Sequence, residues 1–344
     1  MEFRQTNSFL NVAKHNDKND EFYTAYETIE SELKYYKNHF RDKVILCNCD
    51  DPIESNFSKY FLKNFNRLGL KRLITISYAD SKVSRKSYNL YDNEGEILKN
   101  GKAYIMNITR VPRHITSKSD DKELIYWLQK GKSIRKLNYD GDFRNPESIN
   151  ILKKADIIVT NPPFSLFREL IYLLVEYNKN FLLIGNSNAL MYKEIFPLIK
   201  TNKVWLGKNY GDMAFKVPDD SEERKTRFWI DESGQKWRSL GNAMWLTNLD
   251  LERRHRDIPL IKSYNPEDYP KYDYYEAIEV SRVANIPFDY DGIMGVPVTF
   301  LNKHNPEQFE IIGEANHGSD NEFDLFKPTI KGKELYKRIL IRRL

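Results

Sequence analysis

Short apolar runs alternating with amphipathic segments are what most constrain this chain. VILC (Val44–Cys47), LITISY (Leu73–Tyr78), DIIVT (Asp156–Thr160) and FLLIG (Phe181–Gly185) are each the length of one buried strand and too short for a core helix. Between the first two, Phe57, Tyr60, Phe61, Phe65 and Leu68 recur at helical spacing, and Gly69 supplies a stop. Upstream, Tyr26, Ile29, Leu33 and Tyr36 share a helical face, and Thr24 with Glu27 has the spacing of a capping box. Helix start signals recur at Asn145-Pro146 and before the stretch from Ser165 to Tyr177. Helix, strand, helix, strand in this rhythm predicts an α/β fold with a doubly wound, Rossmann-like parallel sheet.

The rhythm breaks between residues 82 and 118, where Lys82, Arg85, Lys86, Lys99, Lys102, Arg110, Arg113 and Lys118 crowd together. A turn at Asp92–Gly95 and the strand-like AYIMNI predict a basic hairpin inserted at about residues 80–120. The alternation resumes with helical ELIYWLQKG and a strand at Lys136–Tyr139. VWLG (Val204–Gly207) and NAMWLTNL (Asn242–Leu249) read as two further strands joined by a long polar excursion. From residue 251 prolines recur, tyrosines cluster and no alternation can be read, which predicts two regions, 1–250 and 251–344.

With 22 Tyr and 19 Phe the chain has enough apolar bulk for a sizeable core, which argues against disorder. No run of 18 apolar residues occurs, so no membrane partner is expected, and the polar first twenty residues predict no secretory leader. The only cysteines, Cys47 and Cys49, stand two residues apart in a predicted strand and cannot easily bridge, which excludes a disulfide scaffold and predicts a reducing cytoplasm. A net charge of +5 permits a polyanionic partner without requiring one. A monomer without metal is expected.

The most specific signal is Asn161-Pro162-Pro163-Phe164, directly after the apolar strand DIIVT and before a helix. Ligands of open α/β sheets bind at the carboxyl ends of strands. Two consecutive prolines fix the backbone and remove two N–H donors, which leaves local carbonyls able to accept bonds from elsewhere. An Asn side-chain oxygen beside such a carbonyl makes a pair of acceptors for an NH₂ group, and an adjacent ring can stack on a planar base. A Pro-Pro turn capped by Asn is the plain alternative, and the position after a buried strand weighs against it.

This tetrapeptide matches the [D/N/S]-P-P-[Y/F/W] pattern of amino-group DNA methyltransferases. The segments CNCDDPIESNF, YDGDFRNPE, VTNPPFSLFRELI, GDMAFKVP, GQKWRSLGNAMWLTNL, YPKYDYYEAIEV and DYDGIMGVPVTFL resemble the EcoRI-type adenine-specific DNA methyltransferase family from about Asn19 to Arg343. The resemblance implies S-adenosylmethionine as cofactor, double-stranded DNA as partner and N6 of a flipped adenine as methyl acceptor, in restriction-modification or DNA protection. It implies a catalytic set of Asn161, Pro162, Pro163 and Phe164. It also implies a cofactor site from Phe22, Tyr23 and Thr24, from Cys49, Asp50, Asp51 and Pro52, from Asp142 and Phe143, and from Asn161 itself. The stretch Asp51–Phe57, where methyltransferases at large carry a glycine-rich turn, contains no glycine, which leaves single contacts open, and Asp80 fits the ribose role only weakly.

Arg85, Lys86, Arg113, Arg338, Arg342 and Arg343 are candidate DNA contacts, with the excursion at 208–241 also able to line a DNA cleft. Region 251–344 is nearly balanced in charge, and sequence readout needs diverse polar and aromatic groups, so it is the expected target-recognition region. The same chemistry on RNA, on a protein glutamine or on cytosine N4, and a catalytically silent DNA-binding protein, are the rival readings.

Overall fold

The structure is a computed structural model that describes residues 23–79, 101–217, 221–315 and 327–344. Phe22, Asp80, Lys82, Arg85, Lys86, Lys99 and the turn at Asp92–Gly95 lie outside the described residues. The chain divides into two compact units. One comprises the described residues up to Asn186 with Asn209–Trp245, and the other comprises Ser187–Lys208 with Leu246–Leu344.

A large mixed sheet organises the first unit. Its parallel centre is β2 (Val44–Cys47), β3 (Arg72–Ile76), β6 (Ile157–Thr160) and β7 (Asn180–Asn186), with β2 between β3 and β6. Every residue of β6 is buried, and the same holds for β2 after its first residue, as expected of strands covered on both faces. The helix Asn56–Leu68 buries Phe57, Tyr60, Phe61, Phe65 and Leu68 as its spacing predicts, and Gly69 ends it. Phe57 meets Trp245 edge to face at 5.9 Å between ring centres. Asn145 caps the helix Pro146–Lys154 by accepting from the Glu147 amide.

Four sequence expectations are corrected. The sheet is mixed and not uniformly parallel: β4 (Tyr104–Ile108) runs antiparallel to β3, and β5 (Ile134–Lys136) antiparallel to β4. AYIMNI therefore belongs to the main sheet and not to a separate inserted hairpin, because its buried face pairs Ile108 with Leu73 and Met106 with Thr75. The strand expected at Lys136–Tyr139 lies earlier, at Ile134–Lys136. Thr24 caps no helix: the helix Tyr26–Leu33 begins after Ala25, and Thr24 is drawn into the strand β1 (Tyr23–Thr24). Its backbone instead pairs with Phe215 of β8 (Trp205–Lys216), so sheet bonds replace the cap.

The polar excursion is largely strand. β8, β9 (Phe228–Ile230) and β10 (Lys236–Thr247) extend the sheet beyond β7 in the order β1-β8-β10-β7, with β9 antiparallel to β10. The second unit carries a four-stranded sheet of β11 (Ala277–Glu279), β12 (Ile293–Pro297), β16 (Arg338–Arg343) and β13 (Phe309–Ala315) in that order, and β14 (Thr329–Ile330) pairs separately with β15 (Lys333–Glu334). The basic C-terminal stretch is thus an inner strand, with Ile339, Leu340 and Ile341 buried between its arginines. Among the described residues no helix is long and apolar enough to cross a membrane.

Candidate active site

The chain leaves β2 for β3 on one side and later returns to β6 on the other, so strand order reverses between β2 and β6. Such a switch point opens a crevice at the carboxyl ends of the strands. Residues 48–55 follow β2 there, and Thr160 ends β6 with Asn161 directly after it.

Asp50 joins the two rims. Its Oδ2 accepts a hydrogen bond from Thr160 Oγ1 at 2.6 Å and its Oδ1 one from Ser55 Oγ at 2.6 Å. The carboxyl is fully buried, and burial pushes its pKa up to about 7 while the two hydroxyls hold it down. Asp51 Oδ1 accepts from the amides of Ile53 and Glu54 at 2.9 and 3.1 Å, which closes the glycine-free turn. The Pro52 carbonyl accepts from Ser58 Oγ at 2.6 Å. Cys49 is half-buried with its thiol 4.0 Å from the Asn48 side-chain oxygen.

Two buried polar atoms in this loop have no hydrogen-bond partner among the described residues: Asn48 Nδ2 and Glu54 Oε1. Burial raises the Glu54 carboxyl above its ordinary range, opposed by Lys216, whose Nζ lies 3.9 Å from Oε2. Leaving such a group unsatisfied costs about 1–3 kcal/mol, so each of these two atoms is open to an outside donor or acceptor.

Asn161 is seated from the far end of the sequence. Its Nδ2 lies 3.3 Å from Thr24 Oγ1 and donates to it, while the Thr24 carbonyl accepts from Asn56 Nδ2 at 2.8 Å. An amide whose NH₂ is held by a neighbour presents its oxygen in the opposite direction. Pro162 is buried, Pro163 is half-buried, and the Pro163 carbonyl accepts from Leu166 N at 2.9 Å as the chain enters the short 3₁₀ turn Phe164–Leu166. The α-helix expected from Ser165 begins after that turn, at Phe167. Tyr23 is buried in β1 opposite Lys216.

Asp142 and Phe143 follow a tight turn. Gly141 has φ +80°, and a Cβ there would stand 2.1 Å from the Ser77 carbonyl oxygen. Phe143 is buried, whereas the Asp142 carboxylate is held by Arg144, with contacts of 2.6–3.1 Å that also raise the Arg144 pKa. Arg144 bonds Glu169 as well, at 2.9 Å, which ties this loop to the helix Phe167–Glu176 that follows the Asn-Pro-Pro-Phe turn.

The structure thus joins Asp50 to the end of β6 through Thr160 and to the next helix through Ser55, and joins Thr24 to Asn161 directly and to Asn56 through its carbonyl; sequence reasoning missed Thr160, Ser55 and Asn56. Ser55 alone had a local signal, as the N-cap of the next helix. Arg113 is exposed. In the second unit Arg338 is committed to Glu279 in a buried pair at 2.7 Å, while Arg342 and Arg343 make outer pairs with Glu310 and Asp291. Among the described residues no cluster of side chains has the makings of a metal site.

Comparison with known proteins gives concordant results. The chain is 48% identical to the Type II methyltransferase M.EcoRI of Escherichia coli over 98% of this chain and 97% of the relative. It is 37% identical to M.MgeORF184P of Mycoplasma genitalium, over 95% and 96%, and 33% identical to M.MpnI of Mycoplasma pneumoniae, over 97% and 98%, both also Type II methyltransferases. No solved structure matches the chain significantly. The model of the family "Adenine-specific methyltransferase EcoRI" matches residues 9–344, and with that coverage the chain belongs to this family of adenine-specific methyltransferases.

Proposed function

We propose that this chain transfers a methyl group to N6 of an adenine flipped out of duplex DNA, and that it does so at Asn161-Pro162-Pro163-Phe164 in the service of restriction-modification. The observation that carries the reading is the Asn161 amide, fixed through Thr24 at the switch-point end of β6. The family implies S-adenosylmethionine, and the residues present fit it. Asn48 Nδ2 is a buried donor for a hydroxyl or carboxylate oxygen, and Glu54 Oε1 is a buried acceptor for an ammonium or hydroxyl group. Asn48, Asp51 and Glu54 would hold the cofactor, with Phe143 as an apolar wall. When bound, it supplies an electrophilic methyl group.

The lone pair of adenine N6 is delocalised into the ring, which makes it a poor nucleophile. Asn161 Oδ1 and the Pro162 carbonyl each accept one N6–H bond and so favour a pyramidal nitrogen. Pro162 and Pro163 hold these acceptors rigid, and Phe164 stacks on the base. Positioning and preorganised dipoles supply the acceleration, with no covalent intermediate on the protein. Flipping the base costs a few kcal/mol, offset by stacking and by the two accepted bonds.

The large mixed sheet carries this catalytic region, with a Rossmann-like parallel centre, and residues 251–344 read the target sequence. Arg113, Arg342 and Arg343 are the described candidates for phosphate contact. The exposed pairs of Arg342 and Arg343 are each worth about 0–1 kcal/mol, so a phosphate can displace the carboxylate.

The test is incubation of duplex DNA with the protein and methyl-labelled S-adenosylmethionine, followed by digestion and nucleoside mass spectrometry. N6-methyladenine is expected. Label on cytosine N4, on RNA alone or on protein, or no transfer at all, overturns the reading.

A further inference from the structure

The ribbon formed by β9 and the start of β10 is built unlike the rest of the sheet. Residues 243–247 of β10 are buried, but residues 236–242 are not, so the strand leaves the core there. On the unburied part Trp229 stands directly opposite Trp237, the rings stacked at 6.3 Å and 8°. Trp229 is 42% exposed, and Ile230 beside it 49%. The ribbon is backed on its other edge by β8 and braced at its tip. Asp231 accepts from Trp237 Nε1 at 2.7 Å, from Ser233 Oγ at 2.6 Å and from the amides of Ser233 and Gln235. The Arg227 guanidinium occupies the space over Gly241, where any Cβ would lie 1.8 Å from it. Arg224, Lys225 and Arg227 are exposed along the approach to β9.

The ribbon springs from the site rim. The Lys236 carbonyl accepts from Val217 N at 3.1 Å, the preceding Lys216 pairs with Tyr23, and Thr24 holds Asn161.

We propose that this ribbon is a duplex-opening arm: Trp229, backed by Trp237, stacks into the base column at the gap left by the flipped adenine, while Arg224 and Arg227 hold the flanking phosphates. The proposal rests on the functional reading above. An indole has the size and π-face to replace a base in the stack, and the cations match the phosphate backbone on either side. An exposed Trp pair with a fixed tip enters the stack already ordered, so little freedom is lost on binding.

The test compares wild type, Trp229→Ala and Trp229→Phe in single-turnover methylation of a matched duplex and of the same duplex with the target adenine mispaired. A mispaired base needs little help to leave the helix. Trp229→Ala is expected to slow methylation of the matched duplex about ten-fold or more and of the mispaired duplex no more than about three-fold, with Trp229→Phe close to wild type on both. Cofactor affinity should not change in either variant. Equal rates for Trp229→Ala and wild type on the matched duplex overturn the proposal, as do equal losses on both duplexes. If wild type methylates neither duplex, the functional reading itself has failed.

Discussion

Asn161 Nδ2 donates to Thr24 Oγ1 at 3.3 Å across a sequence separation of 137 residues. The bond fixes which end of the Asn161 amide faces Thr24 and which is offered to a substrate. Thr24→Val keeps the shape and removes the acceptor. The expected result is a fall in turnover of about ten-fold with cofactor affinity nearly unchanged, since misorientation of an acceptor acts on the chemical step. Asn161→Ala should abolish transfer and still bind cofactor. Single-turnover rates and calorimetric titration check both, and near-wild-type turnover of Asn161→Ala removes the basis of the mechanism.

Asp50 makes stability depend on pH. Its folded pKa is about 7 because of burial, against an ordinary value of 3.8. Between those values the folded chain keeps a proton that the unfolded chain has lost, so stability falls as pH rises from about 4 to 7. The limiting slope is about 1.4 kcal/mol per pH unit. Asp50→Asn cannot ionise and should flatten that part of the profile. Melting temperatures of the two proteins from pH 4 to 8 test this, and parallel profiles would sink it.

Gly141 has no room for a side chain. A Cβ there meets the Ser77 carbonyl oxygen at 2.1 Å and the Ala103 Cβ at 2.9 Å, and φ is +80°. Gly141→Ala should destabilise the protein by about 2–4 kcal/mol through steric and left-handed backbone strain. It should also weaken cofactor affinity, because Asp142 and Phe143 follow directly. Denaturant melts with cofactor titration decide, and an unchanged midpoint refutes the prediction.

The arginines of β16 should separate by experiment. Arg338→Ala leaves the Glu279 carboxylate buried without its counter-charge, held only by the Tyr272 hydroxyl among the contacts described, and should cost about 3–5 kcal/mol of stability. Replacing Arg342 and Arg343 with Ala removes only exposed pairs, so stability should hardly change. If these two meet phosphates, the slope of log K against log salt should shrink by up to roughly two units with the target sequence unchanged. Degenerate methylation with an unchanged slope would show that they read bases.

The amino-acid sequence by itself determined the buried strands β2, β3, β6 and β7, the helix Asn56–Leu68 and the cap at Asn145, because each is encoded by neighbours a few residues apart. It also placed Asn161-Pro162-Pro163-Phe164 after β6, since a short apolar run followed by two prolines can end in few ways. Only the tertiary structure decided the role of Thr24, whose helix-cap pattern gives way to pairing with β8. It likewise bound Asp50 to Thr160, although Asp50 and Asp51 look equivalent in sequence. In the C-terminal strand it left Arg342 and Arg343 in outer pairs while burying Arg338 against Glu279. The physical reason is common to all three. A hydrogen bond or ion pair between distant strands depends on register and on which face of the pleat a side chain occupies, and neither leaves a local mark on the sequence.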